Sequence, residues 1–406
     1  MARSARARRS PIEWALRGLL AAAAVGAGYA GSTYSLAQAS RLTDIGRAHR
    51  VAPRNAQVEA LFAQSLSGPE ASAADRARAD DLARDALRRD PTAVVAVSAL
   101  GINAQARGRV AEARRLFGYA EALSRRDMQT QLWSIEDAVS RNDVPGALKH
   151  YDVALRTSPK ASTLLFPILA SAIADDAVRA ALVQTLVRGT SWTPHFINFV
   201  AAQGSEPEAA AALMTQLDRA HVPISAEARA GLVNNLIAKG SYQQAWAYYA
   251  ASRPGASASR SRDPRFQGDA AKASLFDWTP LEAAGIAGSM RQGDDGGFDF
   301  SAGPSVGGPM LQQMQMLQPG TYLLQGRSRD IDQAADAQPY WMLQCYKGRE
   351  LGRVAVPNSV VARGGFDGRL TVPADCPVQL LALVAVPSEA MTGLAGTIEQ
   401  VELRRQ

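Results

Sequence analysis

The sequence predicts a chain that is α-helical first and β-stranded afterwards, with a membrane helix at its N-terminus. A charge-free run follows a group of arginines near the N-terminus. Apolar residues then recur every three or four positions from about residue 55 to 250, and short alternating segments separated by Gly, Pro, Asn and Asp follow residue 270. We therefore expect a transmembrane helix, an α-solenoid and a C-terminal antiparallel β-sandwich.

The chain is long enough for two domains behind a targeting segment. It has 406 residues, and single domains are usually smaller than that. The composition shifts near residues 252 and 270, where turn-forming residues replace apolar periodicity. We predict a basic tail and membrane-targeting helix over 1–40, a helical-repeat domain over 41–251, a linker over 252–269 and the sandwich over 270–406.

The N-terminal run, Gly18–Ser40, carries no charged residue and is long enough to cross a bilayer as a helix. Basic residues before it predict a single-pass inner-membrane protein with a cytoplasmic N-terminus and its bulk in the periplasm. Alternatively, the small residues Ala37 and Ala39 mark a cleavage site that releases a periplasmic protein. A buried soluble helix would leave the preceding arginines unexplained. These arginines are Arg3, Arg6, Arg8, Arg9 and Arg17.

The overall positive charge comes mostly from this N-terminal segment. The whole chain has a formal charge of +6, but residues 18–406 carry only +2. No basic stripe with interleaved aromatic residues occurs in the remainder, so the electrostatic attraction that binds proteins to nucleic-acid phosphates is missing. We expect no nucleic-acid partner.

The helical region repeats itself with a period of about 34 residues. A shift of one period places Phe117 on Tyr151 and Ala120 on Ala154, and twice that shift places Pro91 on Pro159. The same shift aligns Leu82 with Leu116, Ala86 with Ala120, and Gly108 with Asn142. With small residues at helix crossings, a central aromatic residue and a boundary proline, this pattern resembles the tetratricopeptide repeat. An ordinary bundle of Ala-rich helices is the alternative.

The resemblance implies stacked helix pairs whose surface binds another protein. The match decays over 161–235, and residues 240–249 look like one more degenerate repeat, so we expect an irregular solenoid of ten to twelve helices. Aromatic residues could line the partner groove, although packing between helices also explains them. The groove candidates are Trp192, Phe196, Trp246, Tyr248 and Tyr249.

The C-terminal region predicts seven to ten short strands. The clearest cover 298–300, 321–324, 341–345, 370–372, 378–384 and 396–403. A Pro-Gly-x-Tyr turn at 319–322, a Trp-x-x-x-Cys strand at 341–345, a Phe-x-Gly-x-Leu-x-Val-Pro strand at 366–373 and a Gly-x-Ile strand at 396–398 resemble jelly-roll modules of the carbohydrate-binding kind. That resemblance makes exposed aromatic residues candidates for contact with a polysaccharide. These candidates are Tyr322, Tyr340, Trp341, Tyr346 and Phe366.

Strand alternation predicts which face of its strand one of these candidates occupies, and it places a cysteine on the same face. Trp341, Leu343 and Cys345 share one face of their strand, so Trp341 is expected in the core. Cys345 and Cys376 are the two cysteines of the chain. If bonded, they close a loop of about 30 residues, which typically contributes about 3 to 4 kcal/mol; two reduced core thiols are the alternative.

Motifs for catalysis and metal binding are weak. Residues 303–307 fit Gly-x-Ser-x-Gly, but hydrolases with this motif place their histidine after the serine, and no histidine follows His221. The other histidines, His49, His150 and His195, lack metal-binding spacing. Asp294, Asp295 and Asp299 could bind Ca²⁺, although a solvated turn explains them as well. We expect no catalytic residue, cofactor or metal ion.

These features favour a non-enzymatic, membrane-anchored envelope scaffold whose solenoid binds an envelope protein, in exopolysaccharide or cell-envelope assembly. A periplasmic carbohydrate-binding module, or an accessory of a carbohydrate-active enzyme, is the alternative. In a third hypothesis the sandwich caps the solenoid, and Phe276 and Trp278 lie in a buried interface.

Overall fold

The computed structural model describes residues 11–68, 70–293, 295–361, 363–388 and 391–406. The chain forms two compact units, Met1–Ser162 and Thr163–Gln406. In its described residues the first has helices and no strand, and the second contains further helices followed by the β-sandwich. The predicted order of α-helical and β-stranded regions is therefore confirmed.

The first helix, α1 (Pro11–Ser40), corrects the membrane prediction. Among the described residues, no helix combines enough length with enough apolarity to cross a bilayer. The predicted transmembrane helix is therefore wrong, as is the single-pass inner-membrane localisation that rested on it. The physical reason is composition: Gly18–Ser40 consists largely of Ala, Gly, Ser and Thr, whose side chains offer little apolar surface. Of the five arginines, Arg3, Arg6, Arg8 and Arg9 lie outside the described residues.

Seven more helices complete the first unit, and they repeat as the sequence predicts. Helix α5 begins one repeat period before α7, and α6 begins one period before α8. The TPR-like helix pairs are therefore confirmed. The helices are α2 (Ile45–Val51), α3 (Ala56–Ser65), α4 (Ala73–Arg89), α5 (Val94–Ala106), α6 (Val110–Leu123), α7 (Met128–Ser140) and α8 (Val144–Thr157).

The turns inside these pairs explain one alignment found in the sequence. Gly108 and Asn142, which lie one repeat period apart, both have left-handed backbones, with φ of 73° and 57°. Glycine and asparagine are the residues that tolerate this conformation after a helix. The Asp143 side chain then accepts a hydrogen bond of 2.9 Å from the Gly146 amide and caps α8.

Small residues allow the helices of a pair to approach closely. A Cβ atom at Gly101 would lie 2.8 Å from the Phe117 ring, so α5 and α6 could not meet this way with a larger residue. The Phe117 ring stacks on Trp133 of α7 at 4.4 Å. Ala113 and Ala120, on the same face of α6 as Phe117, are also fully buried.

Ionic bridges join successive helices at equivalent repeat positions. Asp80 of α4 accepts hydrogen bonds from Asn103 at 2.7 Å and Arg107 at 2.6 Å. One repeat later the acid and the base have changed places between the helices: Asp137 of α7 accepts from Arg114 of α6 at 2.7 and 3.2 Å. Arg141 also donates to Asp137, at 3.3 Å. Asp80, Asn103 and Arg107 lie one repeat period before Arg114, Asp137 and Arg141, respectively.

Six more helices precede the sandwich. They are α9 (Ala161–Ala172), α10 (Asp176–Leu186), α11 (Thr193–Gln203), α12 (Pro207–Arg219), α13 (Ala226–Ala238) and α14 (Tyr242–Ser252). The described residues thus contain thirteen helices after α1, more than the ten to twelve expected. Short helices such as α2 lack the clear period that marks the central repeats.

The sandwich consists of two five-stranded antiparallel sheets. Their strand orders are β1-β4-β9-β6-β7 and β2-β3-β10-β5-β8. Without β1 and β2, each sheet has the strand order of a jelly roll, which confirms that prediction. The strands are β1 (Thr279–Pro280), β2 (Ile286–Arg291), β3 (Gly297–Ala302), β4 (Gly308–Gln315), β5 (Gly320–Arg329), β6 (Tyr340–Cys345), β7 (Glu350–Ala355), β8 (Gly365–Val372), β9 (Gln379–Ala385) and β10 (Leu394–Arg405).

Large side chains fill the space between the sheets. Trp341 and Trp278 are fully buried, with ring centroids 5.5 Å apart. The Tyr322 hydroxyl, at the edge of the same core, donates to the Gln318 carbonyl at 2.8 Å. Cys345 and Cys376 are joined as a disulfide across a Cα–Cα distance of 5.6 Å, which ties the end of β6 to the turn before β9.

Candidate functional site

Most aromatic residues proposed for a partner groove are used in packing between helices. Trp192 and Phe196 are buried, and their rings lie 6.4 and 5.3 Å from Phe166 of α9. Tyr248 and Tyr249 of α14 are also buried. These four side chains present no open surface to a partner.

Trp246 of α14 is half-buried and packs on the segment that precedes β1 of the sandwich. The Phe276 ring lies 5.3 Å from both Trp246 and Tyr249. Phe276 is fully buried against these α14 rings, as a capping role for the sandwich requires, whereas Trp278, also fully buried, packs on Trp341 in the sandwich core. The geometry therefore favours packing over an open groove at this end of the helices.

A different strip of apolar side chains remains exposed on α9. Leu164 is 48 % exposed and Ile168 is 52 % exposed, and Pro167 lies on the same face. Leu165, Phe166 and Leu169 occupy the opposite, buried face. Sequence analysis missed this strip because a helix with apolar residues on two faces has no clear polar side; the i, i+4 spacing of Leu164 and Ile168 was the available signal.

The first unit has a separate exposed apolar position on α7. Val139 is 62 % exposed, and Trp133 is partly exposed beside Phe117. A shift of one repeat period places Trp133 on Pro167 of α9. Helices α7 and α9 thus each carry exposed apolar side chains.

In the sandwich, burial separates the candidate ligand contacts into two groups. Tyr322, Trp341 and Phe366 belong to the core. Tyr346 is partly exposed but packs edge-on against Tyr242 of α14, at 5.9 Å between ring centroids. Tyr340 is the candidate whose partly exposed ring lies on the outer face of a sheet.

The outer face around Tyr340 combines an aromatic ring with polar groups. The Arg353 guanidinium lies 4.5 Å from the centre of the Tyr340 ring. Next along the sheet, Met342 of β6 pairs with Ala382 of β9, which pairs with Gln312 of β4. We call these residues, with Gln344, the Tyr340 face. The small, buried Ala382 lies between Met342 and Gln312 on this face.

An ion pair fixes the cation on this face. Glu350 accepts two hydrogen bonds from Arg353, at 2.6 and 2.8 Å. The Arg353 hydrogen bond lowers the pKa of the Glu350 carboxyl below its usual value, so the pair stays ionised at neutral pH. A bidentate contact of this kind orients the guanidinium over the ring.

Ser305 and the four histidines lie apart from one another. Ser305 lies in the turn between β3 and β4, where its amide donates to the Ser388 carbonyl at 2.8 Å, and a strand follows it instead of a helix. His150 contacts Gln131 at 2.9 Å, His49 stacks on Phe62, and His195 and His221 lie elsewhere on the helices and turns. The Gly-x-Ser-x-Gly segment thus lacks the surroundings of a nucleophile elbow.

The proposed calcium ligands lie only partly within the described residues. Asp294 is outside them. Asp299 forms an ion pair of 3.0 Å with Arg291 and accepts a hydrogen bond of 2.6 Å from Thr397. In the part of the chain that the structure describes, no three His, Cys, Asp or Glu side chains converge as metal ligands.

Together these features define the class: a TPR-like helical-repeat region followed by a jelly-roll sandwich. No family model matches the chain, and no curated protein matches it. Solved structures similar to parts of it include the APC/C hetero-tetramer Cut9-Hcn1, at 17 % identity over 50 % of this chain, with a TM-score of 0.28. The chain spans 40 % of the length of that protein.

Two carbohydrate-binding modules are similar to the sandwich. A CBM4 structure is 15 % identical over 36 % of this chain and 96 % of its own, with a TM-score of 0.26. The CBM22-1 xylan-binding domain of Xyn10C from Paenibacillus barcinonensis is 11 % identical over 35 % of this chain and 90 % of its own, with a TM-score of 0.24.

Proposed function

We propose that this chain is a non-catalytic interaction protein whose helical repeats bind an apolar segment of a protein partner. The observation that carries the proposal is the α9 strip, where Leu164, Pro167 and Ile168 stay uncovered although the helix already buries its opposite face. An apolar strip on a rigid helix suits a partner helix or an extended segment with apolar side chains. Covering a half-exposed Leu or Ile side chain contributes about 1 kcal/mol.

The test is site-specific photo-cross-linking in cells, with a photoreactive residue at Ile168 or at Gln203, an exposed position on α11. Cross-linking from position 168 should identify one partner, which is then purified. Ile168→Glu should weaken its binding by about tenfold, corresponding to about 1.4 kcal/mol, and Gln203→Glu should not. Equal cross-linking from both positions, or equal affinity of both variants, would rule the strip out.

The Tyr340 face favours a second function, binding of a saccharide chain by the sandwich. A sugar ring has apolar C–H faces and a rim of hydroxyl groups. The Arg353 guanidinium covers one face of the Tyr340 ring, and the rest of this partly exposed ring supplies an apolar contact, while Arg353, Gln312 and Gln344 supply hydrogen-bonding groups on neighbouring strands. This function accommodates a role in exopolysaccharide assembly, with the repeats holding a protein of the same assembly.

Affinity electrophoresis through gels that contain soluble neutral or acidic polysaccharides tests the second function. Retardation of the wild-type protein by one polymer, lost in Tyr340→Ala and kept in Gln325→Ala on the other sheet, is the expected result. Migration unaffected by every polymer, or unchanged by Tyr340→Ala, would eliminate the Tyr340 face as a saccharide site.

A further inference from the structure

The guanidinium of Arg262 is buried between the last helix and the sandwich. The residue is 8 % exposed. Its Nε donates to the Phe276 carbonyl at 2.8 Å, its Nη1 donates to Gln315 Oε1 at 3.2 Å, and its Nη2 donates to the Met314 carbonyl. All of these acceptors are neutral oxygens, so β4 and the segment before β1 together solvate the charge.

Aromatic rings surround the rest of this cation. The guanidinium lies 5.2 Å from the Trp246 ring centre and 5.7 Å from the ring centres of Tyr249 and Phe276. Trp246 and Tyr249 belong to α14, and Phe276 belongs to the sandwich segment. Such cation–π contacts are strongest where water is excluded. Burial lowers the pKa of Arg262 to about 10, so the group remains charged at neutral pH.

The residues on either side of Phe276 hydrogen-bond both to the last two helices and to the sandwich. The Leu275 amide donates to Asn234 of α13 at 2.8 Å, and the Leu275 carbonyl accepts from the Met314 amide at 2.8 Å. The Tyr249 hydroxyl donates to Asp277 at 2.7 Å. One short segment therefore hydrogen-bonds to α13, α14 and β4.

The segment predicted as a linker is also fixed to the sandwich. The Ser261 amide donates to the Leu403 carbonyl at 2.7 Å, and the Val401 amide donates to the Pro264 carbonyl at 2.9 Å. Both acceptor–donor pairs involve β10, a central strand of its sheet. The backbone of 261–264 thus has the hydrogen bonds of a structured element.

From these contacts we infer that Arg262 is the central positioning residue of a capping joint, through which α13 and α14 unfold cooperatively with the sandwich. The end of a helical-repeat array needs a cap, because its last apolar face has no following repeat to cover it. Here the segment 262–278 provides that cover. The cap also removes this end of the helices from the surfaces open to a partner, so the inference goes beyond the proposed function.

Native-state hydrogen exchange of the full-length protein tests the inference. In the wild type, amides of α14 and of β4 should exchange with the same dependence on denaturant, as expected for one cooperative unit. In Arg262→Met, the α14 amides should exchange about tenfold faster or more, while those of β5 and β10 change less than about twofold. Arg260→Met, beside the joint but exposed, is the matched control and should leave both unchanged.

Two results would overturn the inference. The first is separate exchange of α14 and β4 in the wild type, which needs no variant to fold. The second is α14 protection in Arg262→Met equal to that in Arg260→Met. If Arg262→Met fails to fold, Tyr249→Phe takes its place, because it keeps the ring and removes the hydroxyl that donates to Asp277. Faster exchange of α14 is then expected, and unchanged exchange would contradict the joint.

Discussion

The cores of the helical repeats and of the sandwich differ in the size of the side chains that fill them. In the repeats, the central buried positions are mostly alanines, such as Ala83, Ala86 and Ala96. In the sandwich, the core contains Trp278 and Trp341 with many large aliphatic residues. A buried alanine removes little apolar area from water, whereas a buried tryptophan removes roughly 150 to 250 Å².

Specific packing therefore has a different source in each region. Alanine faces fit one another in several registers, so the repeats add directional contacts such as the bridge between Arg114 and Asp137. The sandwich packs large shapes that fit in one way, and it adds a covalent link between Cys345 and Cys376. We therefore expect volume changes to matter most in the sandwich and charge changes to matter most in the repeats.

The largest effect should come from emptying the sandwich core. Trp341→Ala should lower the free energy of unfolding by about 3 to 5 kcal/mol, because it leaves a large cavity beside Trp278. Chemical denaturation measures this, and Tyr340→Ala, the neighbouring residue on the outer face, should cost less than about 1 kcal/mol. Similar losses in both variants would contradict the assignment of the two faces.

Removing the disulfide should have the next largest effect. The Cys345→Ala and Cys376→Ala double variant should lose about 3 to 4 kcal/mol, since the bond closes a loop between residues 31 apart. Denaturation of the wild type with and without reductant provides an independent measurement. A double variant that is as stable as the wild type would show that the cysteines do not stabilise the fold as a disulfide.

In the repeats, breaking one bridge should have a moderate effect. Asp137→Ala leaves Arg114 and Arg141 without their shared acceptor and should lower the free energy of unfolding of the first unit by about 1 to 3 kcal/mol. The Arg114→Asp, Asp137→Arg double variant should recover part of that loss. If it is no more stable than Asp137→Ala, the bridge is not what orders α6 against α7.

The smallest effect should be a pH dependence of the same bridge. The hydrogen bond from Arg114 holds the pKa of the Asp137 carboxyl below its usual value. The stabilisation is therefore complete above the unfolded-state pKa of about 3.9 and is lost as pH falls through the lower folded-state pKa. Denaturation at pH 6 and pH 3 should show a smaller loss for Asp137→Asn than for the wild type, and equal losses would contradict this origin.

Local patterns in the sequence predicted much of the fold. The repeat period located the pairs α5–α6 and α7–α8, and the left-handed turns at Gly108 and Asn142 are a local property of those residues. Strand β4 was missed because buried polar residues break its alternation: Gln313 and Gln315 lie inside and bond to the Arg262 region. Arg262, between Ser261 and Asp263 in a turn-rich segment, gave no sign of burial.

The candidate site was less predictable for the same reason. Whether an aromatic ring is exposed depends on what a distant segment places against it. Trp246 is covered by Phe276, which comes much later in the chain, while Tyr340 remains partly open. Strand alternation did separate Tyr340 from Trp341, because that distinction is local.

The exchange of charge signs between successive bridges restricts how this chain can evolve. Helix α4 presents Asp80 to α5, whereas α6 presents Arg114 to α7. If α4 and α6 were exchanged, Asp80 would face Asp137, and Arg114 would face Arg107. Helices α4 and α6 therefore each carry a charge that matches the helix that follows, and a repeat copied into a new place in the array would lose this bridge unless its acid or base were changed.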